Sequence, residues 1–316
     1  MRDRGLGWFL KAGTEAHPRQ HVGLAVVRVL VGLMWLYNVA WKRPPGFGES
    51  TDSGLYGFTA YAVEYPVLPP FSWVVENVVL PNIAIFGWAV ILLETALAVL
   101  LLTGTWVRPA AVLGIVQSAA IGFSVAFAPE EWPWSYWLMI GAHLALLVGP
   151  SGRGFALDAV RTGLGGRRLV GIAWGAVAVL LGLYSLLGSL SDPLAARGPG
   201  LGWSSWSVSF GFYNLLGALV LLVLGALLLA VATGAGPTSG LGLGAAALGG
   251  LAGLSLHAQI GFTDPLLGGT GTSAAVFFSL ALVGGVLGRT PARVTRDDAA
   301  PSAPTTSPTP PSREHP

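Results

Sequence analysis

Cysteine is absent from all 316 residues, and charged residues make up only 10% of the chain. The first absence excludes disulfides, thiolate nucleophiles, cysteine-held zinc and cysteine-ligated iron–sulfur clusters within this chain. Any redox role must therefore use a bound cofactor or a partner. The low charge is unusual because soluble domains carry about 25% charged residues. With 53% hydrophobic residues and a mean hydropathy of +0.66, the composition predicts an integral membrane protein in contact with the lipid bilayer.

Long apolar runs occupy most of the sequence. A transmembrane helix needs about 20 such residues, and the runs predict about eight helices. The fourth run is the shortest and the seventh is the richest in glycine. The predicted spans are 22–41, 82–103, 107–128, 134–149, 169–190, 208–233, 240–261 and 272–288.

The positive charges indicate which ends of these spans face the cytoplasm. Cytoplasmic loops of membrane proteins carry an excess of Lys and Arg. Loops on one side hold only Lys42, Arg43 and Arg197, beside most of the acidic loop residues. We therefore predict a multi-pass cell-membrane protein with both termini cytoplasmic, and we attribute the net charge of +2 to topology and not to nucleic-acid binding. The cations assigned to the cytoplasmic side are Arg2, Arg4, Lys11, Arg19, Arg108, Arg153, Arg161, Arg167, Arg168, Arg289, Arg293 and Arg296.

A loose internal repeat predicts how the helices are grouped. The stretch 86–127 aligns with 212–262, and each places two apolar runs around a short turn that contains glycine. We interpret the chain as an all-α protein of two four-helix units, the second a degenerate repeat. An even number of spans per unit makes the two copies parallel. The predicted divisions are an N-terminal segment 1–21, a first unit 22–160, a second unit 161–289 and a disordered cytoplasmic tail 290–316.

Polar side chains inside the predicted spans are the candidate functional residues. A charge at the centre of a span costs about 2.5–3.5 kcal/mol on insertion scales, so each one needs a partner or a role. Counted along the helices, Arg28 lies roughly 9 Å deep, Glu94 13 Å, Gln117 15 Å and His143 9 Å. Arg28 and Glu94 are predicted to contact each other directly or through one polar residue, either as a structural ion pair or as part of a site. In the second interpretation Arg28, Glu94 and His143 are catalytic, and all four residues bind a cofactor.

Histidine does not indicate a metal here. His143 has no second histidine or carboxylate at ligand spacing on its helix, so we expect no metal cofactor. Taken alone, His143 is also compatible with a packing role. In the second unit the positions aligned with Arg28 and Glu94 fall near Ala178 and Leu224. The polar residues of that unit gather toward its outer end, which is the competing location for a site: Tyr213, Asn214, His257, Gln259 and Asp264.

The segment 42–80 between the first two spans is rich in aromatic residues and broken by prolines. One interpretation is a pair of short interfacial helices that form an aromatic belt. The other is a lid over a lipid-soluble ligand, or a docking surface for an external protein.

Three stretches resemble the DoxX/DoxD family of membrane proteins. They are RVLVGLMWLYNVAWK in the first span, LETALAVLLLTGTWVRPAA around the turn after the second, and HLALLVGPSGRGFALDAV after the fourth. The resemblance covers residues 22 to about 160, and the second unit is not part of the family pattern. The matched residues are Arg28, Glu94, Gly104, Arg108, Gly149, Arg153 and Asp158.

The resemblance implies a membrane component of a quinone-linked oxidoreductase system. That family includes the DoxD subunit of thiosulfate:quinone oxidoreductase, so quinone is the implied cofactor, thiosulfate a candidate substrate and an oxidoreductase subunit the implied partner. The alternative is a non-catalytic protein, either a scaffold for redox enzymes or a small-solute transporter, because parallel repeats and a buried charge pair also suit transport.

Overall fold

The structure is a computed structural model that describes residues 18–203 and 206–290. Seven of its helices are long and apolar enough to cross a membrane, and an eighth apolar helix is 16 residues long. The prediction of an all-α integral membrane protein is confirmed. The helices are α1 Pro18–Trp41, α2 Gly54–Glu64, α3 Pro69–Val74, α4 Ile83–Thr103, α5 Val107–Val125, α6 Pro133–Val148, α7 Leu157–Arg161, α8 Arg167–Ser189, α9 Leu215–Thr233, α10 Thr238–Gln259 and α11 Gly271–Arg289.

Two predicted spans begin at other residues than expected. The helix that contains α4 starts at Pro69, because α3 continues through a π-helical segment, Val75–Val79, and a 3-10 turn, Leu80–Asn82, into α4. The predicted span 208–233 starts only at Leu215, because its first residues belong to a strand. The predicted tail 290–316 and most of the segment 1–21 lie outside the described residues.

The helices pack in the same order in both halves of the chain. In the first half α1 packs on α4 and α5 on α6, and in the second half α8 packs on α9 and α10 on α11. The contact between α4 and α11 joins the halves. Each half has its own buried apolar cluster, and Ala178 and Leu224 belong to that of the second half. The shared order fits two four-helix units, and the duplication itself stays a prediction.

Small residues allow close contacts in the second half. A Cβ at Gly242 would meet the backbone of Gly288, and a Cβ at Gly175 would meet Leu229 and the carbonyl of Gly225. Such close approach of helix backbones is how membrane helices gain packing energy, because lipid supplies no hydrophobic drive between them. Some glycines of the glycine-rich runs therefore lie at helix–helix contacts.

Connections at the two ends of the helices differ in length. The long-loop end comprises residues 42–82, 126–132, 190–214 and 260–270, and the arginine end comprises 104–106, 149–166 and 234–237. The long-loop end holds an antiparallel hairpin of β1, Gly200–Trp203, and β2, Trp206–Ser209, in which Gly200 pairs with Ser209. Strand β2 packs against α1, where Val208 joins the apolar cluster of the first half.

Candidate functional site

A cavity of about 590 Å³ lies inside the first four-helix half. Helices α1, α4, α5 and α6 form its walls, and the cap segment, residues 54–79 with α2 and α3, covers it at the long-loop end. Side chains with polar groups that line it are Tyr37, Asn38, Lys42, Thr59, Glu94, Gln117, Ser124, Glu131 and Tyr136, and the apolar lining is Trp41, Leu55, Phe58, Phe71, Val75, Val79, Phe86, Val90, Ala120, Ile121, Val125 and Met139.

Glu94 is held by two polar partners at the wall of this cavity. Its Oε2 atom lies 2.6 Å from Nζ of Lys42, and its Oε1 atom accepts a hydrogen bond of 3.2 Å from Nε2 of Gln117. Lys42 also donates to the carbonyl of Asn38 and lies 4.0 Å from the ring centre of Trp41. Burial lowers the pKa of the Lys42 ammonium group, and the adjacent Glu94 carboxylate raises it part of the way back.

The direction of helical side chains explains this pairing. Side chains on a helix tilt toward its N-terminus. Lys42 directly follows the last residue of α1, so its side chain runs back along the helix into the bundle and reaches Glu94 on α4. Arg28 sits in the first half of the same helix, and the same tilt carries its guanidinium toward the arginine end.

The predicted contact between Arg28 and Glu94 is wrong. Arg28 is fully buried, and its guanidinium donates to the carbonyls of Ser151, Gly154 and Phe155 at 3.1, 3.2 and 2.6 Å. The partners of Glu94 are Lys42 and Gln117, so within the described residues Arg28 and Glu94 share no polar partner. The two residues lie at similar depth along their helices, but their side chains extend toward opposite ends of the bundle.

Arg28 instead belongs to a structural network at the arginine end, the Arg28 cluster, defined by Arg28, Gly104, Arg108, Asp158 and Arg161. The Asp158 carboxylate accepts hydrogen bonds from two backbone N–H groups at the start of α5, and its own N–H donates to Gly104. Arg161 lies 3.3 Å from Asp158, and Arg108 donates to the carbonyl of Leu147. Burial raises the pKa of Asp158, while those N–H groups, Arg161 and Arg28 lower it part of the way back.

Most residues that match the DoxX/DoxD pattern lie in or beside this cluster. Gly104 ends α4 with φ at +69°, and a Cβ there would meet the Arg28 guanidinium and Ala156. Gly149 follows α6, and Arg153 lies in the same connection as the Arg28 acceptors. The matched motif therefore ties the turn after α4 to the connection after α6. Glu94 is the matched residue that faces the cavity.

His143 is fully buried but does not line the cavity. Its Nε2 atom accepts a hydrogen bond from the indole of Trp35 at 3.0 Å, which places the ring hydrogen on Nδ1, 2.7 Å from the carbonyl of Met139. Both ring nitrogens are thus satisfied within the protein. This environment is that of a packing histidine, and its predicted catalytic and cofactor-binding roles gain no support from the geometry.

The polar residues of the second half serve mainly to hold its loops. Asn214 caps α9 and donates to Leu266, while Gln259 accepts from the N–H of Leu266. Tyr213 donates to the carbonyl of Phe210. Asp264 lines an open hollow of about 550 Å³ formed by residues 260–265 and 269.

His257 differs from these loop residues. It lies against the rings of Trp88 and Phe278, and neither ring nitrogen has a hydrogen-bond partner within the described residues. Trp88 belongs to α4 and Phe278 to α11, so the histidine sits where the two halves meet.

Comparisons with protein-family models, with curated proteins and with solved structures find no match to this chain. The resemblance to the DoxX/DoxD family stays a prediction from the quoted motifs. The cavity with Lys42, Glu94 and Gln117 is therefore the main basis for a functional conclusion.

Proposed function

We propose that this protein binds a lipid-soluble quinone in the cavity of its first half and acts as a membrane component of a quinone-linked oxidoreductase system. The observation that carries the proposal is the Lys42–Glu94–Gln117 group at the wall of a cavity that is otherwise mostly apolar. Binding sites for small molecules commonly have this composition, with few polar groups that orient the ligand within apolar walls.

The chemistry of these three side chains suits a neutral, oxygen-bearing head group. The Lys42 charge is offset by Glu94, so the pair attracts neither an anion nor a cation strongly. Gln117 uses one amide hydrogen for Glu94, and its other amide hydrogen and its carbonyl oxygen have no partner in the described part of the chain. An amide can donate to a quinone carbonyl and accept from a quinol hydroxyl, so both redox forms have a partner.

The position of the cavity suits a ligand that arrives from the bilayer. Aromatic and aliphatic side chains of the cap segment, such as Phe58 and Phe71, line the same cavity as the polar group. An isoprenoid or alkyl tail can be accommodated by such walls. This geometry supports the interpretation of the 42–80 segment as a lid over a lipid-soluble ligand.

Electron transfer requires a second component in this proposal. A bound quinone supplies the redox chemistry, and the residues of this chain orient its head group and can hold a proton at Glu94. The resemblance to DoxX/DoxD supports an oxidoreductase partner, with thiosulfate as a candidate substrate. Arg28 and His143 act in this proposal as structural residues of the same bundle.

The test is purification of the full chain in mild detergent, followed by solvent extraction and mass spectrometry for bound quinone and for co-purifying proteins. We expect quinone in the wild-type protein and in an Arg43→Gln variant, whose side chain is exposed beside Lys42. We expect much less in folded Glu94→Gln and Gln117→Leu variants. Redox enzymes that co-purify with quinone-free wild-type protein would instead favour the scaffold alternative.

A further inference from the structure

A second polar pair lines the same cavity, away from the Lys42–Glu94–Gln117 group. The Tyr136 hydroxyl donates a hydrogen bond of 2.6 Å to Oε2 of Glu131, and both side chains face the cavity. Tyr136 belongs to the first turn of α6, and Glu131 to the loop before it. Both residues are partly buried. Because α6 begins at the long-loop end, the pair lies at that end of the cavity.

The two polar groups are separated along α5. Tyr136 packs beside Gly122, where a Cβ would lie 3.4 Å from the tyrosine Cβ. Gln117 precedes Gly122 on the same helix, which puts the two levels about 7.5 Å apart at 1.5 Å per residue. Ala120, Ile121 and Val125 contribute apolar lining to the α5 wall at and beside these levels. Gln117 tilts toward the start of α5 and Tyr136 toward the start of α6, which lie at opposite ends of the bundle, so their polar atoms are farther apart than these backbone levels. This leaves room between them for a six-membered ring with one hydrogen bond at each end.

We infer that the cavity recognises a ligand at two opposite points, with Gln117 and Glu94 at one end of a flat ring and Tyr136 and Glu131 at the other. This inference rests on the proposed function and specifies its ligand class: a ring with two oxygens in para positions. Amphiphiles with a single polar head, such as fatty alcohols or simple phenols, use only one of the two groups.

The Tyr136–Glu131 pair can serve both forms of such a ligand. A hydroxyl is donor and acceptor, so Tyr136 can turn its hydrogen to a carbonyl oxygen of the ligand. A ligand hydroxyl can instead donate to the tyrosine oxygen or to Oε1 of Glu131, which has no hydrogen-bond partner within the described residues, while the pair stays intact. The pair therefore positions the distal oxygen of the ring without a change in the fold.

The experiment compares two probes on the full-length protein in nanodiscs: a decyl-substituted para-benzoquinone and the matching decyl-substituted phenol, which has one oxygen. Affinities are measured for wild type, Tyr136→Phe, Glu131→Leu and Gln117→Leu. Tyr65→Phe is the matched control, because this tyrosine lies in the same aromatic region and does not line the cavity.

We expect wild type and Tyr65→Phe to bind the quinone more tightly than the phenol. Tyr136→Phe and Glu131→Leu should each weaken quinone binding about five- to tenfold, the effect of about one hydrogen bond, and leave phenol binding within about twofold. Equal losses for both probes, or no loss of quinone affinity in either variant, would overturn the two-point inference. In that case, quinone binding that still depends on Gln117 would leave the proposed function standing. If wild type bound neither probe, both proposals would be rejected.

Discussion

Nζ of Lys42 lies 2.6 Å from Oε2 of Glu94, and the two side chains are only 2% and 0% exposed. The lysine comes from the end of one helix and the carboxylate from the middle of another. A buried charge of either sign is costly when its partner is removed. The pair therefore fixes both the position of α1 against α4 and the charge balance of the cavity.

Removing one partner of this pair should destabilise the bundle. Lys42→Met and Glu94→Gln should each reduce stability, the lysine change by about 3–5 kcal/mol because it leaves the carboxylate buried without its countercharge. The double variant should recover much of that loss, since no buried charge remains. Thermal unfolding in detergent measures the cycle, with Arg43→Gln as the exposed neighbour that should change little. Additive losses in the double variant would show that the two residues do not act as a pair.

The sequence predicts the helices well and the side-chain partners only in part. Long apolar runs mark each helix that can cross the membrane, and depth along the helices brings Glu94 and Gln117 to one level, where the structure has them in contact. Depth alone carries no information about direction around or along a helix. The pairing of Arg28 with Glu94 from depth is therefore wrong. Arg28 extends toward loop carbonyls that no sequence pattern identifies.

Lys42 is not identified as a site residue from the sequence, because it follows the first span and counts there only as a loop cation. The tilt of helical side chains toward the N-terminus is the signal that could have identified it. The contact between Tyr136 and Glu131 depends on the conformation of the loop between α5 and α6. No short-range sequence pattern predicts this contact or the position of the two side chains in the cavity lining.

The Arg28 cluster should be sensitive to a single methyl group. Gly104→Ala places a Cβ against the Arg28 guanidinium and Ala156 at a positive φ, so we expect a loss of more than about 1 kcal/mol. Gly141→Ala is the matched control, because its Cβ meets no atom within 4 Å on an exposed helix face. Detergent unfolding midpoints compare the two variants. An unchanged midpoint for Gly104→Ala would contradict the close contact between this turn and Arg28.

The orientation of the protein can be tested with single cysteines, because the chain has none of its own. Ser50→Cys lies exposed at the long-loop end, and Leu164→Cys lies 53% exposed at the arginine end. The positive-inside rule predicts that an impermeant thiol reagent labels only Ser50→Cys on intact cells. Permeabilised cells supply the control in which both should react. Labelling of Leu164→Cys alone on intact cells would reverse the predicted topology.

His143 and Gln117 should separate stability from ligand binding. His143→Ala removes a side chain that satisfies both Trp35 and Met139, so the folded protein should be less stable, while quinone affinity should fall by less than about twofold. Gln117→Leu should also cost about 1–3 kcal/mol of stability, because it leaves Oε1 of Glu94 without its donor, but unlike His143→Ala it should weaken quinone binding at least about fivefold. The unfolding midpoint and the quinone affinity are measured for both variants and compared with wild type. A large loss of quinone affinity in folded His143→Ala protein would show that the histidine contributes to ligand binding.

Photoaffinity labelling with an azido-quinone, followed by peptide mapping of the modified residues, tests most directly whether the cavity of the first half binds a quinone. Quinone binding in this cavity predicts labels on its walls, on peptides that contain 37–42, 86–94, 117–125 or 136–139, and loss of these labels when excess unmodified quinone competes. Glu94→Gln should reduce the competable labelling, and Arg43→Gln should not. Competable labels confined to 257–269, around His257 and Asp264, would contradict quinone binding in the first half and move the site to the second half.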